Sequence, residues 1–123
     1  MALLLMTAVA GCSSSGKQNA AAPAPPDVFP SNYRNQLATL LMTMLTDPAD
    51  FRTALVAAPI LKPVGVNPHY IVCVQLNGHP PPREKVAIYL SGSITQFVDA
   101  QPGECAGAAY QPFTELARLN PSK

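Results

Sequence analysis

Tryptophan and charged residues are scarce in this sequence. Lys, Arg, Asp and Glu together make up 12% of the 123 residues, the net charge is +1, and tryptophan is absent. Basic residues stand singly apart from Arg83-Glu84-Lys85, which contains its own acid. Binding of nucleic acid or of an anionic lipid surface through charge requires clustered basic side chains. The sequence therefore excludes such a basic surface, and we expect no nucleic-acid partner.

The sequence also lacks the common motifs of catalytic and metal sites. It contains no Gly-x-Ser-x-Gly elbow, no glycine-rich phosphate loop and no Cys-x-x-Cys pair. Its two histidines, His69 and His79, stand ten residues apart, whereas a structural zinc ion needs four His or Cys ligands. We therefore expect no enzyme activity, no metal and no cofactor. A nucleophilic pair of Cys105 with His79 stays open as an alternative, which a disulfide at Cys105 would disable.

The first residues have the composition of a secretory signal. Residues 2–10 are apolar apart from Thr7, and the run is far shorter than the roughly 20 residues that span a bilayer. Val9-Ala10-Gly11 then supplies small side chains directly before Cys12. A short apolar run that ends in small residues is typical of a signal peptide and its cleavage site.

Val9-Ala10-Gly11-Cys12 resembles the lipobox of bacterial lipoproteins. The resemblance implies that residues 1–11 are a signal peptide cut before Cys12, and that acyl chains on Cys12 anchor the protein in a membrane. Several acyl chains hold a protein far more firmly than one chain. Ser13 stands where Asp favours retention in the inner membrane, so the resemblance implies the outer membrane, facing the periplasm. The alternative is an apolar N-terminal helix with Cys12 buried in it.

Residues 12–30 comprise this cysteine and a predicted tether. Ser, Gly, Asn, Gln, Ala and Pro dominate the segment after Cys12, and this composition offers too little apolar surface to offset the cost of ordering the chain. Its Ala-Pro part is expected to be extended and fairly stiff. We therefore expect residues 31–123 to form one small domain held off the membrane.

The domain has the pattern of an α+β fold. An amphipathic helix is predicted over Tyr33–Leu45, because apolar residues recur there at spacings of three and four after the capping candidates Ser31 and Asn32. Further predicted elements are an edge strand at 52–58, a loop at Lys62–Pro68, strands at His69–Asn77, Lys85–Leu90 and Ile94–Val98, a hairpin turn at Ser91-Gly92-Ser93, and a short helix within Pro112–Leu119. This order predicts an N-terminal helix packed on an antiparallel meander of three to four strands.

A second resemblance covers most of residues 33–118. Asp47-Pro48, which is predicted to cap a turn, is followed by a strand and then by Val72-Cys73-Val74 leading to Asn77-Gly78. This order is similar to that of small envelope lipoproteins of proteobacteria. The resemblance implies no particular activity.

The remaining two cysteines favour a disulfide staple. With Cys12 acylated, Cys73 and Cys105 are an even number in an oxidising compartment, which predicts a bridge between them. The alternatives are two separate thiols or a redox-active pair, and the second usually shows Cys-x-x-Cys spacing.

Two features of the sequence are candidates for contact with a partner. One is the proline-rich turn with His79, Pro80, Pro81 and Pro82, and the other is the aromatic pair Tyr110 and Phe113. The alternatives are a passive turn and two aromatic side chains that close the core. The leading hypothesis is a non-catalytic binding or assembly component of the envelope. The others are a small secreted-side inhibitor or ligand-binding protein that uses 78–82 as a wedge, and a thiol enzyme at Cys73 or Cys105.

Overall fold

The computed structural model describes residues 27–119. The predicted signal peptide, Cys12 and the tether up to residue 26 lie outside this range, as do residues 120–123. Within it are three helices and six strands: α1 Tyr33–Met44, α2 Pro48–Thr53, β1 Leu55–Val56, β2 Ile60–Val64, β3 Asn67–Leu76, β4 Arg83–Leu90, β5 Ser93–Asp99, β6 Gln111–Pro112 and α3 Thr114–Arg118. The predicted α+β class is confirmed.

All six strands belong to one antiparallel sheet. Its order is β5-β4-β3-β1-β6, and β2 pairs with β3 beside β1. The predicted meander of three to four strands is therefore too small, although its central part, β3-β4-β5, is observed. The hairpin turn predicted at Ser91-Gly92-Ser93 is observed as a two-residue turn, Ser91-Gly92, with φ of 52° and 83°, and Ser93 pairs with Leu90. Positive φ at both positions matches the right-handed twist of the flanking strands.

The loop predicted at Lys62–Pro68 is wrong. β2 and β3 form a hairpin there, with Val64 opposite Asn67 and the two prolines of the stretch facing each other. Pro63 is tolerated because β2 pairs only with β3, so its missing N–H lies at an edge. Gly65 takes a φ of 67° in the turn. Of the three turn-forming residues, Gly65 thus lies in the tight turn, and Pro63 and Pro68 lie near the ends of the two strands.

The edge strand predicted at 52–58 is also wrong in its length and place. Asp47 accepts a hydrogen bond from the backbone N–H of Ala49 at 2.9 Å and begins α2, as the Asp47-Pro48 pattern predicts. This helix takes the chain to Thr53, so β1 is only two residues long. It lies inside the sheet, between β3 and β6. Pairing with β3 then stops at Pro59, which has no donor, and resumes with Ile60 opposite Ile71.

The larger core lies between the sheet and the three helices. Leu37 and Leu41 of α1 are fully buried against it, which confirms the apolar stripe predicted for this helix, while Met44 at its end is exposed. The buried members of this cluster are Leu37, Ala38, Leu41, Phe51, Ala54, Val56, Val72, Val74, Leu76, Ala87, Tyr89, Phe113 and Leu116. Three aromatic rings supply much of its volume, in the absence of tryptophan.

A second, smaller core lies on the opposite face of the sheet. It consists of Ala57, Ile71, Cys73, Val86 and Cys105. Ala100, Ala108 and Tyr110 pack against it from the segment between β5 and β6. Both faces of β3 are therefore covered, which agrees with its run of apolar residues on both sides of the strand.

Candidate functional site

The disulfide fastens the segment between β5 and β6 to the centre of the sheet. Cys73 in β3 and Cys105 are bonded, with their Cα atoms 6.0 Å apart, and the pair is almost completely buried. The Nζ atom of Lys62 in β2 also donates to the carbonyl oxygen of Glu104 at 2.6 Å. The predicted staple is confirmed. Both sulfur atoms are consumed by the bond, so neither is a thiolate nucleophile in this state.

The loop between β3 and β4, residues 77–82, is exposed but is held in place by side-chain contacts. We call it the proline loop. Its prolines and His79 are exposed, yet three side-chain contacts tie its first half to α2. The amide of Asn77 donates to the carbonyl oxygen of Thr53 at 3.0 Å. The imidazole of His79 pairs with the carboxylate of Asp47.

Asp50 makes the third and most buried of these contacts. Its side chain is 6% exposed, and one oxygen accepts from the backbone N–H of Gly78 at 2.8 Å. The other oxygen accepts from Nη2 of Arg83 at 2.7 Å. One carboxylate therefore joins α2 to both ends of the proline loop. Buried carboxylates are stable only with such donors.

Gly78 is required by the closeness of this contact. A Cβ placed on Gly78 would lie 2.9 Å from the backbone nitrogen of Asp50 and 2.9 Å from its Cγ. Such distances are shorter than van der Waals contact, and the backbone nitrogen cannot rotate away. The absence of a side chain at Gly78 thus lets the loop approach the helix.

Asp47 has a second role besides capping α2. The backbone N–H of Ala49 is the largest influence that lowers the pKa of Asp47, and the imidazole of His79 lowers it further, against a smaller opposing effect of burial. The carboxylate is therefore ionised at neutral pH. The pairing joins the helix start to the exposed tip of the proline loop.

The two aromatic candidates lie in different places. Phe113 is 2% exposed and belongs to the larger core, so no partner reaches it in this fold. Tyr110 is half-buried on the opposite face of the sheet, and its hydroxyl donates to Oε2 of Glu84 at 2.8 Å. Burial, with this bond to Glu84, raises the pKa of Tyr110 above its ordinary value. Tyr110 thus lies near the β4 end of the proline loop, but not on the side held by α2.

His79 and Cys105 are not brought together. His79 pairs with Asp47 beside α2, whereas Cys105 is buried in the smaller core. Among residues 27–119 there is also no group of three or more His, Cys, Asp or Glu side chains placed to hold a metal ion.

An open groove of about 650 Å³ lies between α1 and β5. Its lining consists of uncharged side chains, Asn32, Asn35, Gln36, Thr39, Leu40, Thr43, Ser93 and Ile94.

A contact that sequence reasoning missed lies where the described chain begins. Oδ2 of Asp27 is 3.1 Å from Nδ1 of His69, and Oδ1 accepts from the backbone N–H of Ser91 at 2.8 Å. Burial acts to raise the pKa of Asp27, but the N–H of Ser91 and the His69 ring outweigh it and lower the pKa. In the sequence, Asp27 stands out as a single acidic residue after an Ala-Pro segment, but no local pattern indicates that it contacts His69 and Ser91.

No protein-family model matches this chain, and comparisons with curated proteins and with solved structures give no match either. Within the described range of 27–119, none of the helices is both long and apolar enough to cross a membrane.

Proposed function

We propose that this protein is a lipid-anchored component of a bacterial envelope, held in the outer membrane through Cys12 and facing the periplasm. Its domain acts there as a non-catalytic binding or assembly module. The proline loop, residues 77–82, is the proposed contact for an envelope protein. Tyr110 is a neighbouring candidate contact.

The disulfide is the observation that carries this proposal. Disulfides form and persist in oxidising compartments such as the periplasm and are rare in the bacterial cytoplasm. The bridge uses Cys73 and Cys105, and the chain has three cysteines. Cys12, which follows the lipobox-like Val9-Ala10-Gly11, is the one that remains. A disulfide in the domain therefore supports export to an oxidising compartment. In the proposal, the lipobox-like segment is the end of the export signal, and Cys12 is the site of the anchor.

The anchoring of the proline loop supports a binding role. Binding costs free energy when a loop has to be ordered, and a loop already held in place avoids much of that cost. The proline loop is held through Asn77, Asp50 and His79, while its prolines stay exposed. The same geometry suits an inhibitor that inserts the loop as a wedge. The identity of the captured partner separates the two functions.

Replacement of Cys12 by alanine is the test of the anchor. Without the thiol there is no site for the acyl chains, so the Cys12→Ala protein is expected to leave the membrane fraction or to remain uncut. In the wild type, mass spectrometry of the N-terminal peptide should show an acylated Cys12 and loss of residues 1–11. A Ser13→Ala variant is the matched control, because it should keep both acylation and membrane fractionation. Unchanged fractionation of Cys12→Ala, with residues 1–11 still present in the wild type, would refute the anchor.

Photocrosslinking in intact cells is the test of the binding surface. A photoreactive amino acid at Pro81 is expected to give one discrete adduct with an envelope protein, because this tip is exposed and held in place. The same amino acid at Gln96, exposed in β5, should give no adduct with that protein. Equal labelling from both positions would contradict the proline loop as the contact. An adduct with a foreign or cell-wall enzyme would favour the inhibitor.

A further inference from the structure

The described domain has two unlike ends. One end, which we call the tether end, consists of residues 27–32, 64–69 and 90–93, where the chain enters the fold and where the β2–β3 and β4–β5 turns lie. The proline loop marks the other. The ten residues of β3 run between them and span about 30 Å. In the proposed anchored protein, Cys12 reaches the fold through the tether end.

Exposed apolar side chains concentrate at the tether end. Val28 is 59% exposed, Phe29 51%, Val66 96% and Leu90 48%. We call these four the apolar patch. They are half of the large apolar residues exposed in the described chain. Isolated exposed apolar residues are normal, but several at one end of a small domain indicate an interaction surface.

Strand register and contacts place these residues at one end of the sheet. The ring of Phe29 packs edge-on against Tyr70 at 5.3 Å, and Tyr70 lies opposite Tyr89 in β4. Leu90 follows Tyr89 at the end of β4, and Val66 lies in the turn that begins β3. Val28 lies beside Gly92, since a Cβ on that glycine would be 3.6 Å from it.

Charge is distributed in the opposite way. Within the three segments of the tether end, the charged or titratable side chains are Asp27 and His69, which pair with each other. Lys62 lies opposite His69 in β2, but it is half-buried and donates to the carbonyl oxygen of Glu104. The side chain of Asp27 is 8% exposed, so it presents little charge to solvent. Around the proline loop and the adjoining strand ends lie Asp47, Asp50, His79, Arg83, Glu84, Lys85 and Asp99. Moving a surface out of water costs less free energy when the surface carries few exposed charges.

We propose that the apolar patch rests in the interface of the bilayer that holds the lipid anchor, with the proline loop directed away from it. The position of Asp27 argues for a bilayer as occupant. Residues 13–26 are the fourteen residues between Cys12 and the fold, and at full extension they reach at most about 50 Å. The chain thus enters the fold at the patch itself, and the anchor keeps the patch close to lipid. This inference rests on the proposed function, because four side chains alone bind a bilayer weakly.

A single introduced cysteine tests the contact in the full lipidated protein. Acylation occupies Cys12 and the disulfide occupies the other two cysteines, so a Val66→Cys or Leu90→Cys thiol can be labelled selectively with a nitrobenzoxadiazole dye. The proteins are reconstituted in vesicles of phosphatidylethanolamine and phosphatidylglycerol that contain lipids with a nitroxide on the acyl chain. We expect strong quenching of dye at positions 66 and 90, and none with Pro81→Cys as the matched far-end position.

A charge in the patch should abolish the contact without unfolding the domain. Val66→Asp is expected to remove the quenching of a dye at position 90, whereas Gln96→Asp should leave it unchanged. Protein that floats with the vesicles but shows no quenching at 66 or 90 overturns the bilayer contact and leaves the anchor intact. Blue-shifted emission without quenching also overturns it, because another protein or a second copy then covers the patch. Protein that does not float with the vesicles overturns the proposed anchor itself.

Discussion

Joint replacement of Cys73 and Cys105 by alanine is expected to lower the free energy of unfolding by about 3–4 kcal/mol. The bridge joins residues 32 apart in sequence, and closing a loop of that length restricts the unfolded chain. The bridge also cross-links the sheet to the segment between β5 and β6, which covers the smaller core. Urea denaturation of the oxidised protein and of the Cys73→Ala/Cys105→Ala variant measures the difference.

Reduction of the wild-type protein supplies the control for this prediction. Dithiothreitol should lower the urea midpoint of the wild type towards that of the double variant, and it should leave the variant itself unchanged. The comparison separates loss of the bond from the loss of two sulfur atoms in the core. An unchanged midpoint in a sample whose thiols titrate as reduced would show that the bridge contributes nothing to stability.

Asp50→Ala is expected to destabilise the domain by about 2–3 kcal/mol, because it removes the acceptor of two hydrogen bonds, one of them to a charged donor. The backbone N–H of Gly78 loses its partner, and Arg83 is released from α2. The proline loop should become mobile as a result. Hydrogen exchange of the Gly78 amide, followed together with urea denaturation, measures both effects.

Two further variants show whether the effect belongs to this contact. Asp50→Asn keeps an oxygen that can accept from Gly78, so its loss of stability should be smaller than that of Asp50→Ala. Asp99→Ala removes an exposed acid, 83% exposed and paired with Lys85, and should change stability little, as exposed ion pairs do. Unaltered exchange at Gly78 in Asp50→Ala would contradict the role assigned to this carboxylate.

Elements with a strong local pattern could be predicted from the sequence. The helix predicted over Tyr33–Leu45 is observed at Tyr33–Met44, and the strand predicted at His69–Asn77 is observed at Asn67–Leu76. Both have regular apolar spacing. The start of α2 was also predictable, because Asp47-Pro48 combines a capping side chain with a proline that suits the first helical position.

Elements that depend on distant pairing could not be predicted. β2 contains Lys62 and Pro63, and its strand character comes from β3, which lies beside it in the hairpin. β6 has two residues and pairs with β1, more than fifty positions earlier. Neither segment has a local preference strong enough to identify it, because tertiary contacts decide strand formation in such short stretches.

The candidate site shows the same division. The exposed proline loop and the disulfide follow from composition and cysteine count, and the disulfide is observed. The way the loop is held does not follow, since no local pattern connects Asp50 with the proline loop. Its partner Gly78 lies 28 residues away, and Arg83 lies 33 residues away. A single acidic residue in a sequence does not identify such distant donors.

The bond between Asp27 and the β4–β5 turn has a consequence for how close the proposed anchored domain stays to its membrane. Residues 27–30, which the sequence assigns to the tether, contact the sheet through Asp27 and Phe29. The number of residues between Cys12 and the fold falls from eighteen, 13–30, to fourteen, 13–26. Because effective concentration varies roughly as the −3/2 power of linker length, that of the domain at its own membrane rises about 1.5-fold. Asp27 and Phe29 thereby raise the frequency with which the domain meets a partner in the same membrane.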